Sequence, residues 1–190
     1  MAAGRPFDPD KVARLEAGGW RAYYDRKFVK LFRLVVSLAH EQFRMPFLQA
    51  LLGAYYVTRA SIAWIPLNHD VDRVLHFYEK FYRLARRYSG LSFDPRRAAK
   101  LELRYNDDHR RLVGREDKEP LLQTLMELHS VLFGLPESAV RESAEARLRA
   151  LNTVDLITSR QSNDIEADWR VLEGDLQRCY RSLAQTLGSS

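Results

Sequence analysis

The sequence contains a single cysteine, Cys179, among its 190 residues. An intrachain disulfide is therefore excluded, and so is a CxxC pair for metal binding or redox chemistry. A chain of this kind suits a reducing compartment, and we predict a cytoplasmic protein. The segment from Met1 to Pro9 lacks the basic and then apolar pattern of a signal peptide, so we predict no export.

Long uninterrupted apolar runs are also missing. The most hydrophobic segment, residues 47–65, is interrupted by Gln49 and Arg59. It does not reach the roughly 18 consecutive apolar residues that a transmembrane helix needs. We therefore predict no transmembrane segment.

The motifs of several functional classes are absent as well. The sequence has no Walker A loop, no GxGxxG, no GxSxG, no HExxH and no Cys/His pair at zinc spacing, which leaves the corresponding chemistries without support. None of the five histidines lies three residues after a glutamate, as a ferritin-like di-iron bundle would require. The nearest approach to a helix-turn-helix, around residues 134–136, is followed by acidic side chains that would repel phosphates. We do not expect nucleic acid as a partner.

What the sequence does contain is helical periodicity with proline at the helix starts. Asp8-Pro9 and Asp94-Pro95 each place an N-cap acceptor before a residue suited to the first helical turn. No strand pattern competes, and 46% hydrophobic residues suffice for a core. We predict an all-α bundle of seven to eight helices in one domain, residues 1–190, with flexible tails at 1–8 and 188–190. The predicted helices are 9–17, 19–43, 46–65, 70–88, 95–113, 119–133, 137–160 and 164–187.

The third predicted helix, about residues 46–65, is apolar almost all the way round. A helix of this kind is normally buried on every side. We therefore expect it at the centre of the bundle.

Charge is distributed unevenly along the chain. Residues 1–115 hold 22 Lys/Arg and 12 Asp/Glu, whereas residues 116–190 hold 8 and 13. This asymmetry indicates either complementary packing surfaces or a basic binding face. The basic residues concentrated on the predicted fourth and fifth helices are Arg83, Arg86, Arg87, Arg96, Arg97, Lys100, Arg104, Arg110 and Arg111.

Several polar residues fall on otherwise apolar helix faces. On the fifth predicted helix, Glu102, Tyr105 and His109 share one face and should project inward together. Arg59 lies in line with apolar residues of the third helix, and a buried guanidinium needs a partner. The structural interpretation is that Glu102 or Asp155 pairs with Arg59, while the histidines are hydrogen-bonded core residues.

The functional interpretation is a small-molecule site between helices. Arg59 would hold the anionic group of a ligand with an apolar or aromatic body. Glu102 and His109 are the candidates for acid/base chemistry, although no reaction is predicted. We considered a metal held by Glu102, His109 and His129 but predict no metal site, and no cofactor is indicated. The predicted ligand-binding residues are Arg59, Tyr55, Tyr56, Tyr105, His129 and Asp155.

Two alternative functions remain open at the level of sequence. The chain could be a non-catalytic interaction module that forms a homodimer or a larger assembly through its aromatic-rich faces. It could also bind anionic surfaces, of nucleic acid or membrane, through the Arg-rich face.

Overall fold

The chain folds into eight α-helices in a computed structural model that describes residues 7–189. Their bounds are α1 Pro9–Tyr24, α2 Phe28–Phe43, α3 Phe47–Trp64, α4 Val71–Ser89, α5 Pro95–Leu112, α6 Glu119–Phe133, α7 Glu137–Thr158 and α8 Ile165–Gly188. The predicted all-α bundle is confirmed. Asp8 and Asp94 cap α1 and α5 through their side-chain oxygens, as the Asp-Pro pairs predict.

The helices form a closed ring in which each packs on its neighbours in sequence and α8 packs on α1. Short connections make successive helices antiparallel. Arg21 of α1 pairs with Glu166 of α8 at one end, and Asp10 pairs with Arg181 at the other. We call the end with the connections after α1, α3, α5 and α7 the upper end. The side chains that face inward across this ring form the core.

The first helix is longer than predicted, because Gly18 and Gly19 do not end it. They lie where α2 approaches, and a Cβ at Gly18 would stand 3.4 Å from Leu34 Cδ1. The chain instead reverses over residues 25–27, where Arg26 adopts φ 57°. A Cβ at either glycine would make only ordinary contacts, so neither close helix packing nor chain reversal requires these glycines.

The predicted flexible tails need one correction. Phe7 is buried, and its ring meets those of Phe133 and Tyr180. Asp8 is the N-cap of α1, and Gly188 is the last residue of α8. Residues 1–6 and 190 lie outside the described part of the chain.

The third helix has a different place from the one expected. It lies between α2 and α4 on the outside of the ring, not at the centre. Its buried face carries small residues, among them Ala50, Gly53 and Ala54, while Leu48 is 73% exposed and Ile62 57% exposed. The sequence of a helix that is apolar on every side does not indicate which side faces inward. In α3 the side with the small residues is buried, because small side chains allow α2 and α4 to approach closely.

None of the helices within residues 7–189 combines the length and the apolar character needed to cross a lipid bilayer.

The close packing of α3 gives a first prediction. Ala54→Leu should lower the free energy of unfolding by about 1–3 kcal/mol, because Ala54 is fully buried and has no room for a larger side chain. Thr58→Leu, on the exposed side of the same helix, is the matched control and should change stability by less than about 0.5 kcal/mol. Urea unfolding followed by circular dichroism measures both, and equal effects would contradict the packing described for α3.

Candidate functional site

The strongest interaction inside the ring joins Arg147 of α7 to Glu16 of α1. Arg147 Nη2 lies 2.6 Å from Glu16 Oε1, and Nη1 lies 3.2 Å from Oε2. Tyr180 of α8 donates its hydroxyl hydrogen to Glu16 Oε2 at 2.5 Å. The bidentate geometry is that of a strong charge-assisted pair. Three helices therefore meet at one carboxylate.

Two aromatic rings enclose this guanidinium. The Arg147 Cζ atom lies 5.7 Å from the centre of the Trp20 ring and 5.6 Å from the centre of the Tyr105 ring. Both contacts lie within the range of cation–π attraction. Burial opposes the charge of Arg147, but the attraction of Glu16 outweighs it and keeps the Arg147 pKa well above its usual range. Arg147 is therefore charged and paired.

The free cysteine lies in the same region. Cys179 is fully buried, and burial raises the pKa of its thiol to about 12. A thiol in this state is neutral at physiological pH and is a poor nucleophile. We assign Cys179 to the core.

A second carboxylate, Glu102 of α5, lies deep in the ring without a cationic partner. Tyr82 donates its hydroxyl hydrogen to Glu102 Oε2 at 2.8 Å. Asn106 Nδ2 donates to the Glu102 backbone carbonyl at 2.7 Å and to the Tyr78 hydroxyl at 3.2 Å. Within residues 7–189, no Lys, Arg or His side chain comes within ion-pair distance of Glu102.

This lack of a cation distinguishes Glu102 from the other carboxylates of the interior. The buried or nearly buried carboxylates that do pair with a cation are Glu16, Asp108, Asp155 and Asp175. Burial raises the pKa of Glu102, although the Tyr82 hydrogen bond and the charge of Arg147 partly offset that effect. Glu102 is thus held in a site that favours its neutral form or an added positive charge.

Above Glu102, towards the upper end, α5 presents Tyr105 and then His109. Their rings are parallel within 5°, with centres 6.4 Å apart. His109 Nε2 lies 2.9 Å from Asp155 Oδ1 of α7. Lys118 Nζ donates to the other Asp155 oxygen, Oδ2, at 3.0 Å. Burial disfavours the Asp155 carboxylate, but these two partners outweigh burial and lower its pKa.

Several side chains of this region are half-buried rather than fully buried. Trp20, Glu102, Asn106 and His109 point inward but keep part of their surface accessible. Tyr24 of α1 is 43% exposed, and yet burial raises the pKa of its phenol to about 12. We use the name interior cleft for the region between α1, α5 and α7 in which these side chains lie. Tyr24, His109 and Asp155 lie at its mouth, and Glu102 lies at its floor.

A wider groove adjoins the mouth of the interior cleft. It has a volume of about 680 Å³ and lies between the α5–α6 connection and the end of α7. Asp155 and Lys118 line this groove, and Lys118 is also bonded to Asn152 Oδ1 at 2.6 Å. The Lys118–Asp155–His109 chain therefore stands between the groove and the interior cleft.

The structure brings together only part of the predicted site. Glu102, Tyr105 and His109 project inward from one face of α5, as expected from their spacing, and Asp155 joins them. His129 lies in the core between α6 and α7, where its Nδ1 is 2.8 Å from Ser143 Oγ. Burial lowers the pKa of His129 to about 3, so this side chain is neutral and structural.

The remaining predicted residues lie on the outside. Arg59 is only half-buried, and its Nη1 bonds the hydroxyl of Tyr55, which is itself 44% exposed. Tyr56 lies beside it, under Lys80 of α4. The expectation of a buried Arg59 is therefore corrected: the stripe on which it lies faces solvent, so water satisfies much of its charge.

Arg147, the interior cation, is not among the predicted site residues, although the sequence carries a signal for it. Arg147 interrupts the apolar stripe that the buried residues of α7 form. Glu16 likewise lies among buried residues of α1. Two opposite charges on two apolar faces indicate a buried ion pair. The apolar stripe of α7 that Arg147 interrupts consists of Val140, Ala144, Leu151 and Val154.

No protein-family model, curated protein or solved structure matches this chain. Among residues 7–189, no group of three or more His, Cys, Asp or Glu side chains is placed to hold a metal ion. Function is therefore inferred from the chemistry of this chain's own residues.

The Arg147–Glu16 pair gives a prediction about stability. Arg147→Met should lower the free energy of unfolding by about 3–5 kcal/mol, because it leaves Glu16 buried without its cation. Arg59→Met removes a half-exposed guanidinium and should cost less than about 0.5 kcal/mol. Urea unfolding of both variants checks this, and a loss for Arg59→Met as large as for Arg147→Met would contradict the assignment of the interior cation.

The raised pKa of Glu102 gives a prediction about pH. The folded chain retains the Glu102 proton at pH values where the unfolded chain has already released it, so the wild type loses stability as pH rises. Glu102→Gln removes this dependence and should become more stable relative to the wild type across the pH range above about 4, where the unfolded chain has released the Glu102 proton. Thermal unfolding across this range measures the difference. Glu79→Gln on α4 is the control, and an equal pH trend in both variants would refute the assignment to Glu102.

Proposed function

We propose that the protein binds a small molecule in the interior cleft, and that the ligand has an apolar or aromatic body and a positively charged amine. The observation that carries the proposal is the carboxylate of Glu102, which lies deep between helices with no cationic partner among residues 7–189. A ligand ammonium group would supply the charge that the protein does not.

The walls of the interior cleft support a cationic ligand. Trp20 and Tyr105 line its middle, and Tyr78 and Tyr82 lie next to Glu102. Electron-rich faces of aromatic rings attract ammonium groups. Trp20 and Tyr105 already each contact the Arg147 guanidinium with one face, so Tyr78 and Tyr82 are the rings closest to an ammonium group at Glu102. A carboxylate has about four acceptor positions, of which Tyr82 uses one. The remaining positions would be available to an ammonium donor.

The charge of this ligand differs from the sequence-based expectation. An anionic group would need a free guanidinium, but both terminal nitrogens of Arg147 are bonded to Glu16. An anion would have to break that pair and leave Glu16 buried without a cation, which is costly. The arrangement favours a cation at Glu102 over an anion at Arg147.

We further propose that this binding takes place in the cytoplasm. The support is chemical: Cys179 is buried and unpaired, and the sequence holds no second cysteine that could form a disulfide. A fold without disulfides is stable in a reducing compartment.

The ligand proposal is tested with phenethylamine and its N,N,N-trimethyl derivative, with 3-phenylpropionate as the anion of similar shape. The two amines should raise the Tm of the wild type and quench tryptophan fluorescence, whereas the carboxylate should do neither. Glu102→Gln preserves the shape of the site but removes its charge, and amine affinity should fall by about tenfold or more because a charged partner is lost.

Glu79→Gln, on the outer side of the ring, is the matched control and should bind the amines as the wild type does. A Tm shift from 3-phenylpropionate and not from the amines would overturn the proposal. So would amine binding that is unchanged in Glu102→Gln, or the lack of any response to either amine.

A further inference from the structure

The outer face of α3 is a second feature that a folded core does not explain. Its exposed apolar residues fall at helical spacing and form one continuous stripe along the helix. The most exposed are Phe47 at 67%, Leu48 at 73% and Ile62 at 57%. Large contiguous apolar patches on a protein surface mark interaction sites. We call this stripe the α3 face; its residues are Phe47, Leu48, Leu52, Tyr55, Arg59 and Ile62.

The apolar surface continues at the upper end of the ring. Ile65 and Leu67, in the connection after α3, are 56% and 87% exposed. Phe28 and Val29 begin the neighbouring antiparallel helix α2 and are 62% and 70% exposed. The α3 face therefore extends along a full helix and onto the adjacent loops.

Positive charge borders the α3 face on the α2 side. Lys30 and Arg33 are exposed on the outer face of α2, one helical turn apart, with His40 further along the same face. Neither Lys30 nor Arg33 forms an ion pair within residues 7–189. From Arg26 through Ile65 the sequence holds six Lys/Arg and one acidic residue, Glu41. Glu41 is paired with Lys11, and Lys27 with Asp25.

Positive charge also borders the other side, towards α4. Arg59 Cζ lies 5.1 Å from the centre of the Phe77 ring of α4. Lys80 Nζ lies 5.5 Å from the centre of the Tyr56 ring. Both charged ends therefore lie over aromatic rings and are half-buried, on the side of the α3 face that meets α4. Acidic residues near α3 include Asp107, which accepts a hydrogen bond from Trp64 Nε1 at 2.8 Å, and Asp70 and Asp72 at the start of α4.

We propose that the α3 face binds the surface of a membrane that contains anionic lipids. An apolar helix face with Lys and Arg at its edges lies in the plane of the lipid headgroups and buries its apolar side chains at the acyl boundary. Basic residues beside it are attracted by anionic lipids at about 1 kcal/mol for each charge near the surface. This function is independent of the ligand proposed for the interior cleft.

Charge and shape distinguish this partner from two others. A second copy of the chain would bring an equally basic face against the first in a symmetric dimer, and like charges would repel. A protein partner usually inserts anchor side chains into pockets, whereas α3 protrudes from the ring. A planar lipid surface with negative charge fits both the protrusion and the basic edges.

The test is sedimentation of the full chain with lipid vesicles. Vesicles of phosphatidylcholine mixed with an equal part of phosphatidylserine should bind the protein, vesicles of phosphatidylcholine alone should bind it weakly, and added salt should release it. Leu48→Gln combined with Ile62→Gln should weaken binding by about tenfold or more, since two exposed apolar side chains can no longer be buried. Ile165→Gln combined with Val171→Gln is the matched control on α8, where these residues are 52% and 53% exposed.

A second pair of variants locates the electrostatic contact. Lys30→Glu with Arg33→Glu should abolish binding to the phosphatidylserine vesicles, whereas Arg96→Glu with Arg97→Glu, on the exposed side of α5, should leave binding intact. Circular dichroism confirms that all four double variants fold. Loss of binding in the α5 pair alone, or no binding to any vesicle by the wild type, would overturn the proposal.

The same variants identify a second copy as the occupant if the proposal fails. Light scattering without lipid should give the mass of one chain. A doubled mass that Leu48→Gln with Ile62→Gln returns to the single-chain value would assign the α3 face to a dimer and would overturn the membrane proposal.

Discussion

The arrangement of the ring depends on the buried pair between Arg147 and Glu16. A guanidinium and a carboxylate are costly to remove from water, and they remain charged here because each satisfies the other with two contacts. Tyr180 adds a third contact, and the rings of Trp20 and Tyr105 cover the remaining faces of the guanidinium. In this way one ion pair brings α1, α5, α7 and α8 together across the interior, where apolar packing alone would allow the helices to slide past one another.

Because both terminal nitrogens of Arg147 are bonded to Glu16, that pair limits what else the interior can bind. With Arg147 already paired, Glu102 is the interior carboxyl group that lacks a cationic partner among residues 7–189, and it lies next to Tyr82. Burying an unpaired charge costs free energy, and only a ligand of opposite charge relieves that cost. A buried carboxylate without a cation is therefore selective for cationic ligands. The interior cleft therefore favours an amine as its ligand. At the mouth of the cleft, the charge of Asp155 is already balanced within the protein by Lys118 and the hydrogen bond with His109.

The two proposed functions use opposite features of the same ring. Inside, the Glu102 carboxyl group has no cationic partner among residues 7–189. Outside, positive groups border an apolar stripe that no other helix of the described residues covers. The interior cleft and the α3 face lie on different helices, so a change in one leaves the contacts of the other in place. The uneven charge of the sequence is seen in the structure as well. Some of the excess basic residues of segment 1–115 lie around α3, whereas acidic residues of α8, such as Glu166 and Asp175, pair with arginines.

The sequence by itself determined the helices and much of their polar chemistry. Proline and aspartate positions predict the starts of α1 and α5, and the spacing of Glu102, Tyr105 and His109 predicts that they share an inward face, because these features are local to one helix. Periodicity could not decide the position of α3, since a helix that is apolar all round has no distinguishable inner side. It also could not pair Arg147 with Glu16, which are 131 residues apart. Only the tertiary structure decided the position of α3 and the pairing of Arg147 with Glu16, because burial and ion pairing depend on which helices become neighbours. The small residues of α3 allow it to pack by that side, which leaves its large apolar side chains exposed and Arg59 half-exposed.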